Sequence, residues 1–321
     1  MGAGRGLVVG KFFPPHKGHI YLIKEAKKGC DHLTVLVVDA KNESIPASLR
    51  AKWIRELVSD VEVLVVEDIY AYDDSRAWAK YTIKILGYSP DVVFTSEDYG
   101  DPFAQYMGCK HVLIDKERIH VPISGTKVRS NPLKYWDYID EPVRAYFAKR
   151  VCVVGAESTG TTTMAKALAN YYKTVWVPEF GRFYSEGKMQ GPVMANWGTR
   201  EFIYIAKMQN SIEYQLVKIC NKILICDTDS FATSIWHQRY MGFISEDVDL
   251  LSRDREYDLY FLTDVDIPFV QDGLRDGEHI RHNMHKKFIE ELTKRGKKFV
   301  ILSGSHEKRL ATAIKHCNQL L

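Results

Sequence analysis

Continuous apolar runs of strand length recur through this 321-residue chain, and segments with helical spacing separate them. In the first half, the apolar runs lie at 7–9, 32–38, 61–66 and 91–95. Strands that are covered on both faces are apolar throughout, whereas half-exposed strands alternate. Helical segments begin near 20, 46 and 74, between the runs. The pattern therefore predicts an α/β fold with a parallel, doubly wound sheet, in which ligands bind at the carboxyl ends of the strands.

The alternation starts again near residue 150, with apolar runs at 151–154, 222–226 and 258–262. A chain of this length has room for about two domains. We predict a first domain over 1–130, a second over 150–321 and a packed connector over 131–149. The connector is rich in aromatic residues, which a flexible linker lacks. The glycine-rich residues 2–6 precede the first run, so we expect a flexible leader there.

The segment from Gly10 to His19 reads GKFFPPHKGH and joins the first predicted strand to the first predicted helix. A helix N-terminus binds anions, because its first backbone N–H groups are free and its dipole is positive there. Gly18 lets a phosphate approach the backbone closely. His16 and His19 add donors that can follow charge as it builds on a reacting phosphate. The pattern resembles the signature of the nucleotidylyltransferase superfamily.

A second segment, ISGTKVR from Ile123 to Arg129, resembles the other motif of that superfamily. Ser124 and Thr126 can cap a helix or donate to phosphate oxygens, and the Arg129 guanidinium can bind a phosphate through two parallel hydrogen bonds. The resemblance implies catalytic roles for His16, His19 and Arg129. It also implies that ATP is bound by Gly10, Lys11, Phe12, Gly18, Ser124 and Thr126.

Candidate residues for a second substrate follow the strand at 91–95. Ser96, Glu97 and Tyr99 fall at a strand end, where a doubly wound sheet binds its ligands. An ordinary turn is the alternative interpretation of this segment. Trp78 can stack on a flat cationic ring, although packing on a helix face is the commoner role of such a residue.

The second half opens with a strand followed by GAESTGTT, from Gly155 to Thr162. The spacing is that of a P-loop, Gly-x-x-x-x-Gly-Lys-[Ser/Thr], except that Thr161 stands at the lysine position. The backbone cradle and the Thr162 hydroxyl that binds magnesium survive this change. The positive charge with which the lysine contacts the transferred phosphate is lost. Losing one such contact costs about 10²–10³ in rate. Lys166 lies further along the helix, and we expect that it does not reach the loop.

Other segments supply the further parts of a small-molecule kinase. Asp227 follows an apolar strand, where P-loop enzymes hold magnesium, and Glu179 is a candidate base. Arg275 and Arg281 flank a glycine-bearing loop that suits a lid over the phosphates. Asp229 is a candidate substrate contact. The nucleotide contacts predicted for this half are Gly155, Glu157, Ser158, Thr159, Gly160, Thr161, Thr162, Thr163, Arg275 and Arg281, and the predicted metal ligands are Thr162 and Asp227.

Composition limits the classes of partner. The formal net charge of +3 is too close to balance to indicate nucleic acid or a membrane surface as the main partner. The six cysteines form no Cys-x-x-Cys pair, which favours a reducing compartment and argues against a zinc site. No apolar run has transmembrane length, and no signal peptide is visible. We therefore expect a cytoplasmic protein that binds no nucleic acid and does not insert into a membrane.

The order of these motifs, together with PEFGR at 178–182 and DGLR at 272–275, resembles the NadR type of bifunctional protein. That family joins a nicotinamide-mononucleotide adenylyltransferase to a ribosylnicotinamide kinase, and this chain resembles the form without an N-terminal helix-turn-helix. The resemblance implies a Rossmann-like nucleotidylyltransferase domain followed by a P-loop NTPase-type kinase domain.

The resemblance further implies a salvage pathway. ATP would phosphorylate nicotinamide riboside, and the mononucleotide would then accept AMP from ATP, which gives NAD and pyrophosphate. We expect Mg²⁺ as cofactor, ATP as co-substrate and a homo-oligomer as the assembly. Trp197, Trp236 and Tyr240 are candidates for stacking on the nicotinamide ring.

Other functions remain open at this point. Because of Thr161, the chain could be an adenylyltransferase whose P-loop domain only binds nucleotide and regulates. A transcriptional regulator is disfavoured by the missing helix-turn-helix and the balanced charge. Pantetheine-phosphate and cytidylyl transferases share the first motifs but lack this second domain.

Overall fold

The computed structural model describes residues 3–71, 73–189, 196–253 and 255–321. The chain divides into two compact units, of which the first ends at Tyr146 and the second begins at Phe147. In the described part of the chain, no helix has both the length and the apolar character that crossing a membrane requires.

The first unit contains a five-stranded sheet with the order β3-β2-β1-β4-β5, in which every pairing is parallel. Its strands are β1 (Ala3–Gly10), β2 (Cys30–Asp39), β3 (Glu62–Glu67), β4 (Val92–Thr95) and β5 (Lys110–Leu113). Its helices are α1 (Lys17–Lys28), α2 (Ala47–Leu57), α3 (Ser75–Leu86), α4 (Gly100–Met107), α5 (Gly125–Ser130) and α6 (Glu141–Phe147). The predicted parallel, doubly wound α/β fold is confirmed.

The middle strand β1 is covered on both faces, as its continuous apolar sequence predicts. Val8 packs into a core on one face with Ile23 of α1 and Ile54 of α2. Leu7 packs into a second core on the opposite face with Phe103 of α4. Because neighbouring strand residues point to opposite faces, one short run supplies both cores.

The prediction of a flexible leader over residues 2–6 is wrong for its described part, 3–6. Strand β1 already pairs with β2 at Ala3, opposite Cys30, and the Asp91 carboxylate accepts a hydrogen bond from the Arg5 backbone at 2.7 Å. The glycines are strand residues here because the neighbouring strands leave no room for a side chain. A Cβ atom on Gly6 would lie 2.5 Å from the sulfur of Cys30. Gly2 lies outside the described residues.

The aromatic stretch after α5 packs within the first unit. A 3₁₀ turn at Trp136–Tyr138 precedes α6, and Trp136, Ile139 and Val143 are buried. Residues 131–146 therefore complete the first unit, and the domain limits at 130 and 150 stay a prediction.

The second unit contains another five-stranded parallel sheet, with the order β10-β9-β6-β8-β7. Its strands are β6 (Lys149–Gly155), β7 (Trp176–Val177), β8 (Ile223–Asp227), β9 (Leu259–Thr263) and β10 (Phe299–Leu302). Its helices are α7 (Thr161–Tyr172), α8 (Phe180–Met189), α9 (Thr199–Ile219), α10 (Ser230–Met241), α11 (Glu246–Arg253), α12 (Arg281–Lys294) and α13 (His306–Cys317). As in the first unit, the first strand of the sequence is the middle strand of the sheet.

We expect Gly6→Ala to lower the free energy of unfolding by about 1–3 kcal/mol, because the added methyl group overpacks the contact between β1 and β2. Urea denaturation of the full chain measures this as a lower midpoint. Gly187→Ala in α8 is the matched control, since a Cβ atom there meets nothing within 4 Å. Equal midpoints for the two variants would contradict the packing described for Gly6.

Candidate active sites

The first site lies at the loop between β1 and α1. His16 is the N-cap of α1, and its Nδ1 accepts hydrogen bonds from the backbone N–H groups of Gly18 (3.1 Å) and His19 (3.4 Å). Because Nδ1 is an acceptor, the neutral ring carries its proton on Nε2. His16 Nε2 is buried and has no hydrogen-bond partner. The Nε2–H of His16 is therefore free to donate to a ligand.

His19 stacks on His16 with the ring centroids 3.7 Å apart, and its Nδ1 is also buried without a partner. Burial, followed by the positive charges of Arg118 and Arg129, lowers the pKa of His16 to about 3. Burial is also the main cause that lowers the pKa of His19 well below its ordinary value. Both imidazoles are therefore neutral at physiological pH. The Nε2–H of His16 is available to a bound phosphate, whereas the His19 ring has a hydrogen bond with the Pro14 backbone and an unpartnered Nδ1.

The second motif meets the first at this point. Ser124 caps α5 by accepting a hydrogen bond from the Lys127 backbone at 3.3 Å. Arg129 donates to the Phe13 carbonyl at 2.6 Å and to the Thr126 hydroxyl at 3.1 Å. A Cβ atom on Gly125 would lie 3.8 Å from the His19 ring. Two segments that are far apart in the sequence thus form one cationic, donor-rich site.

Lys11 is held by carboxylates. Its ammonium lies 3.0 Å from Asp68 and 3.6 Å from Glu43. The same Glu43 is paired with Arg50, which is completely buried and donates to the backbone carbonyls of Lys11, Val38 and Ile45. Arg50 therefore fixes the strand end from which Lys11 projects, and Lys11 must exchange its carboxylates for phosphate if it is to bind ATP.

The prediction of Phe12 as an ATP contact needs correction, as far as its side chain is concerned. Phe12 adopts a positive φ of 48°, and its side chain is buried beneath the loop, edge-on to the His19 ring at 5.1 Å. It supports the imidazole from the core. Gly10 ends β1, and the N–H of Gly18 is already engaged by His16.

The candidate residues for the second substrate of this unit contact different partners. The Tyr99 hydroxyl donates to the Val9 carbonyl at 2.9 Å, which places Tyr99 beside the end of β1. Glu97 lies 3.9 Å from Arg118, and Ser96 directly follows β4. Trp78 donates to the Ala71 carbonyl at 3.1 Å and packs against the core, which agrees with the commoner role of such a residue.

The second site lies at the loop between β6 and α7. Ser158 and Gly160 adopt positive φ angles of 56° and 87°, which bend the loop around a concave backbone surface. A Cβ atom on Gly155 would lie 2.2 Å from the Thr263 hydroxyl, so only glycine fits at the strand end. Thr159 was predicted to contact nucleotide, but its buried hydroxyl bonds to Ala156 and Thr263 at 2.6 Å each. Its side chain ties the loop to the sheet.

Two buried arginines hold the loop from behind. Arg281 donates to the carbonyls of Glu157 (3.1 Å), Ser158 (3.2 Å) and Ile267 (2.9 Å). Arg309 donates to the Thr159 carbonyl at 2.7 Å. Arg281 was predicted to close over the phosphates, but it is buried, and its Nε and Nη2 donate to loop carbonyls. The sequence did not predict the role of Arg309 in holding this loop, because its partners are backbone carbonyls far away in the sequence.

Carboxylates lie next to the start of α7. The Thr162 hydroxyl donates to Asp227 at 2.5 Å, and the other carboxylate oxygen of Asp227 is buried without a partner. Burial raises the pKa of Asp227, and burial together with the negative charge of Asp227 raises the pKa of Glu179. Gln209 accepts from the Phe180 backbone at 2.8 Å and thereby fixes the residue after Glu179.

A loop between β9 and α12 closes against the P-loop. Glu157 accepts hydrogen bonds from the backbone of Asp276 (3.1 Å) and Gly277 (3.4 Å). Ser158 accepts one from the Val270 backbone at 2.9 Å. Arg275 belongs to this loop, as its predicted role as a lid residue requires. Glu157 contacts this loop and also lines the cavity in front of the P-loop, so its nucleotide contact stays a prediction.

The P-loop faces a cavity of about 240 Å³. Thr161, Thr162 and Thr163 line it, together with Glu179, Arg182 and Arg275. Its lining also includes the aromatic residues Trp197, Phe202, Trp236 and Tyr240. The Trp197 and Tyr240 rings lie 5.7 Å apart. The cavity thus combines P-loop hydroxyls and charged groups with aromatic rings.

Asp229 does not reach this cavity. It caps α10 by accepting from the Ala232 backbone at 2.9 Å, and it accepts from the Tyr260 hydroxyl at 2.7 Å. Its side chain is fully buried. The predicted substrate contact is therefore corrected to a helix cap, because the residues after β8 turn the carboxylate back beneath the sheet end.

We expect the ring resonances of His16 to stay at their neutral positions between about pH 8 and pH 5, whereas an ordinary histidine titrates in that range. Burial and two guanidiniums disfavour its charged form. The ¹³C-edited NMR spectrum of the full chain measures this, with His16→Asn to assign the signal. A midpoint near 6.5 would contradict the buried, neutral cap described above.

The two halves of the chain match two family models. Residues 7–131 match the cytidylyltransferase-like family, and residues 150–309 match the AAA domain. The solved structure of a NadR protein in complex with NR superposes with a TM-score of 0.79 at 22% identity and covers 100% of this chain and 96% of that chain. This likeness shows a shared fold over both units.

Relatives are similar over nearly the whole chain. The trifunctional NAD biosynthesis/regulator protein NadR of Salmonella typhimurium is 29% identical over 316 residues, which covers 90% of this chain and 76% of the relative. Its counterpart in Escherichia coli is 29% identical over 325 residues, with coverages of 92% and 78%. A nicotinamide-nucleotide adenylyltransferase of Pyrobaculum arsenaticum is 29% identical over 143 residues, with coverages of 39% and 74%. With both domains in the same order, the chain is similar to the NadR type of NAD biosynthesis protein over about nine tenths of its length.

Proposed function

We propose that this chain makes NAD from nicotinamide riboside in two ATP-dependent reactions. Its second unit phosphorylates the 5′-hydroxyl of the riboside, and its first unit transfers AMP from ATP to the resulting mononucleotide. The observation that carries the proposal is a pair of different anion sites in one chain. One presents neutral histidine donors, and the other presents raised-pKa carboxylates beside a P-loop.

The first reaction site needs no base. The phosphate of nicotinamide mononucleotide is already an anion, and it attacks the α-phosphorus of ATP while pyrophosphate leaves in line. Catalysis then consists of positioning and of neutralising charge. We assign the donor on His16 and the ring of His19 to the α-phosphate. Arg129 belongs with the departing phosphates, with Ser124 and Thr126 beside it.

Arg118 joins this set on structural grounds. Its positive charge lowers the pKa of both His16 and His19, so it lies within electrostatic reach of both rings. Its sequence context holds no motif, which is why sequence reasoning missed it. Ser96, Glu97, Tyr99 and Trp78 stay proposals for the mononucleotide subsite of this unit.

The kinase site needs a base, because its nucleophile is a hydroxyl. Glu179 lines the cavity, and its carboxylate can accept a proton from the riboside when it is ionised. Burial and the negative charge of Asp227 raise its pKa, so the ionised form becomes more abundant as the pH rises. The aromatic residues of the cavity, Trp197, Trp236 and Tyr240, suit a flat cationic nicotinamide ring. The P-loop backbone would hold the phosphates.

Mg²⁺ fits the residues at the start of α7. Asp227 has one carboxylate oxygen that is buried and unpartnered, and the Thr162 hydroxyl lies against the other. A carboxylate and a hydroxyl at these places suit a cation that prefers oxygen ligands. When bound, Mg²⁺ would neutralise phosphate charge. A cytoplasmic location and a homo-oligomer stay predictions.

A second candidate function rests on Thr161. Without the lysine of the P-loop, the second unit would bind nucleotide and regulate the adenylyltransferase. The raised pKa of Glu179 at the cavity wall favours the kinase, since a regulatory nucleotide site has no use for a base.

We expect His19→Ala to lower kcat for NAD formation from the mononucleotide and ATP by about 10²–10³, because one donor to the reacting phosphate is lost. Chromatography of the products measures this. His32→Ala is the control, since His32 is exposed and lies towards the other end of β2. Riboside phosphorylation should be unchanged in both variants. An unchanged rate in His19→Ala would contradict the assignment.

We expect Glu179→Gln to lower kcat for mononucleotide formation from the riboside and ATP by about 10²–10⁴, because the amide cannot accept the hydroxyl proton. Glu290→Gln on the exposed face of α12 is the control. Adenylyl transfer to added mononucleotide should be the same in both variants. If Glu179→Gln keeps the full rate, Glu179 is not the base. If the unaltered chain phosphorylates no riboside, the kinase proposal fails and the regulatory candidate replaces it.

A further inference from the structure

The P-loop lacks its usual cation, and few side chains can replace it. Among the described residues that line the cavity, only Arg182 and Arg275 carry a positive charge. Thr161, at the position of the lysine, is a neutral hydroxyl in the same cavity. A transferred phosphate in this cavity therefore has two candidate cationic partners.

The other nearby cations are already engaged. Arg281 and Arg309 are buried, and their guanidiniums are bonded to P-loop carbonyls. They hold the loop through its carbonyls. The ammonium of Lys166 lies 5.1 Å from the centre of the Trp176 ring, and Lys166 is not among the residues that line the cavity, although its charge lowers the pKa of Asp227.

Arg182 lies near Glu179, and its guanidinium is held by ion pairs that a phosphate can replace. It lies in the first turn of α8, three residues after Glu179, and its side chain is 41% exposed. Its guanidinium is paired with Asp272 at 2.7 Å and with Glu186 at 3.1 Å. Arg182 lines the same cavity as Glu179 and the P-loop residues Thr161 and Thr162.

Asp272 lies between the two arginines. Its carboxylate pairs with Arg182 at 2.7 Å and with Arg275 at 3.3 Å. Arg275 also donates to the Val270 carbonyl, so its guanidinium is tied to the loop that carries it. An anion thus already occupies the space between two guanidiniums, as a phosphate oxygen would. Arg182 is the one that comes from a helix beside Glu179.

We propose that Arg182 supplies, from α8, the positive charge on the transferred phosphate that a lysine supplies in other P-loops, and that Asp272 holds its guanidinium until ATP binds. This inference rests on the proposed kinase function. In that reaction, the bond between the γ-phosphorus and the ADP oxygen breaks, and a bond to the riboside 5′-oxygen forms. The hydroxyl proton goes to the Glu179 carboxylate. Arg182 makes and breaks no covalent bond and contacts the phosphate throughout.

The test compares binding of ATP and ADP with Mg²⁺ by calorimetry, in a background of His19→Ala to weaken the adenylyltransferase site. In Arg182→Met we expect the preference for ATP over ADP to fall about tenfold, since a charge-assisted hydrogen bond to the γ-phosphate is lost. We expect kcat for riboside phosphorylation to fall by about 10²–10³, with the KM for the riboside unchanged. Glu186→Gln is the matched control, because it removes one ion pair of Arg182 and leaves the arginine in place.

The decisive variant restores the P-loop lysine at position 161. Thr161→Lys should raise the rate of Arg182→Met by at least about tenfold and raise the rate of the unaltered chain by a clearly smaller factor, because one cation already serves the phosphate there. Rescue by the lysine agrees with the proposal. No rescue, or an equal gain in both backgrounds, would overturn it.

A merely structural role for Arg182 predicts a different result. If Arg182 only anchors the loop through Asp272, then Asp272→Asn should reproduce the loss seen in Arg182→Met. If Arg182 serves the phosphate, Asp272→Asn frees the guanidinium and the ATP preference is kept or rises. The nucleotide titrations decide this without riboside turnover, so a failure of the kinase proposal is seen separately, as absent turnover in the unaltered chain. Adenylyl transfer in otherwise unaltered Arg182→Met reports that the chain is folded.

Discussion

Both candidate sites depend on one backbone constraint, which is a middle strand of a parallel sheet that ends in a glycine before a helix N-terminus. Gly10 ends β1 and Gly155 ends β6, and each strand is the third of five in its sheet. A side chain at Gly155 would collide with Thr263, and one at Gly10 would press on the Phe12 ring at 3.1 Å. With glycine in place, the loop folds closely over the strand end and leads directly into a helix N-terminus, where the helix dipole is positive.

The two units complete this common arrangement with opposite chemistry. In the first, burial and nearby guanidiniums keep His16 and His19 neutral, which suits the proposed reaction of an anion that needs no activation. In the second, burial raises the pKa of Glu179 and Asp227, so the site can accept a proton from a hydroxyl. The difference matches the two nucleophiles, a phosphate and a sugar hydroxyl. It explains why one chain holds two nucleotide sites that are not interchangeable.

The sequence predicted the order of strands and helices and the places of both anion sites, because those depend on local patterns at strand ends. It predicted the directions of several side chains wrongly. The side chains of Phe12 and Thr159 are buried, and Asp229 caps a helix. Thr159 and Asp229 bond to residues distant in the sequence, Thr263 and Tyr260, whereas Phe12 packs against the His19 ring. Arg50 and Arg309 were missed for the same reason, since both donate to carbonyls of remote loops. The leader was misassigned because glycine normally weakens a strand, whereas here crowding by Cys30 requires it.

The most direct test of two independent phosphate chemistries in one chain is the stoichiometry of products from the riboside. Nicotinamide riboside, ATP and Mg²⁺ are incubated with the unaltered chain, and ADP, pyrophosphate and NAD are quantified together over time. Phosphoryl transfer leaves ADP, whereas adenylyl transfer leaves pyrophosphate. We expect ADP to appear first and the three products to converge on equal amounts. Pyrophosphate and NAD that form only when mononucleotide is added, with no ADP from the riboside, would contradict the central claim.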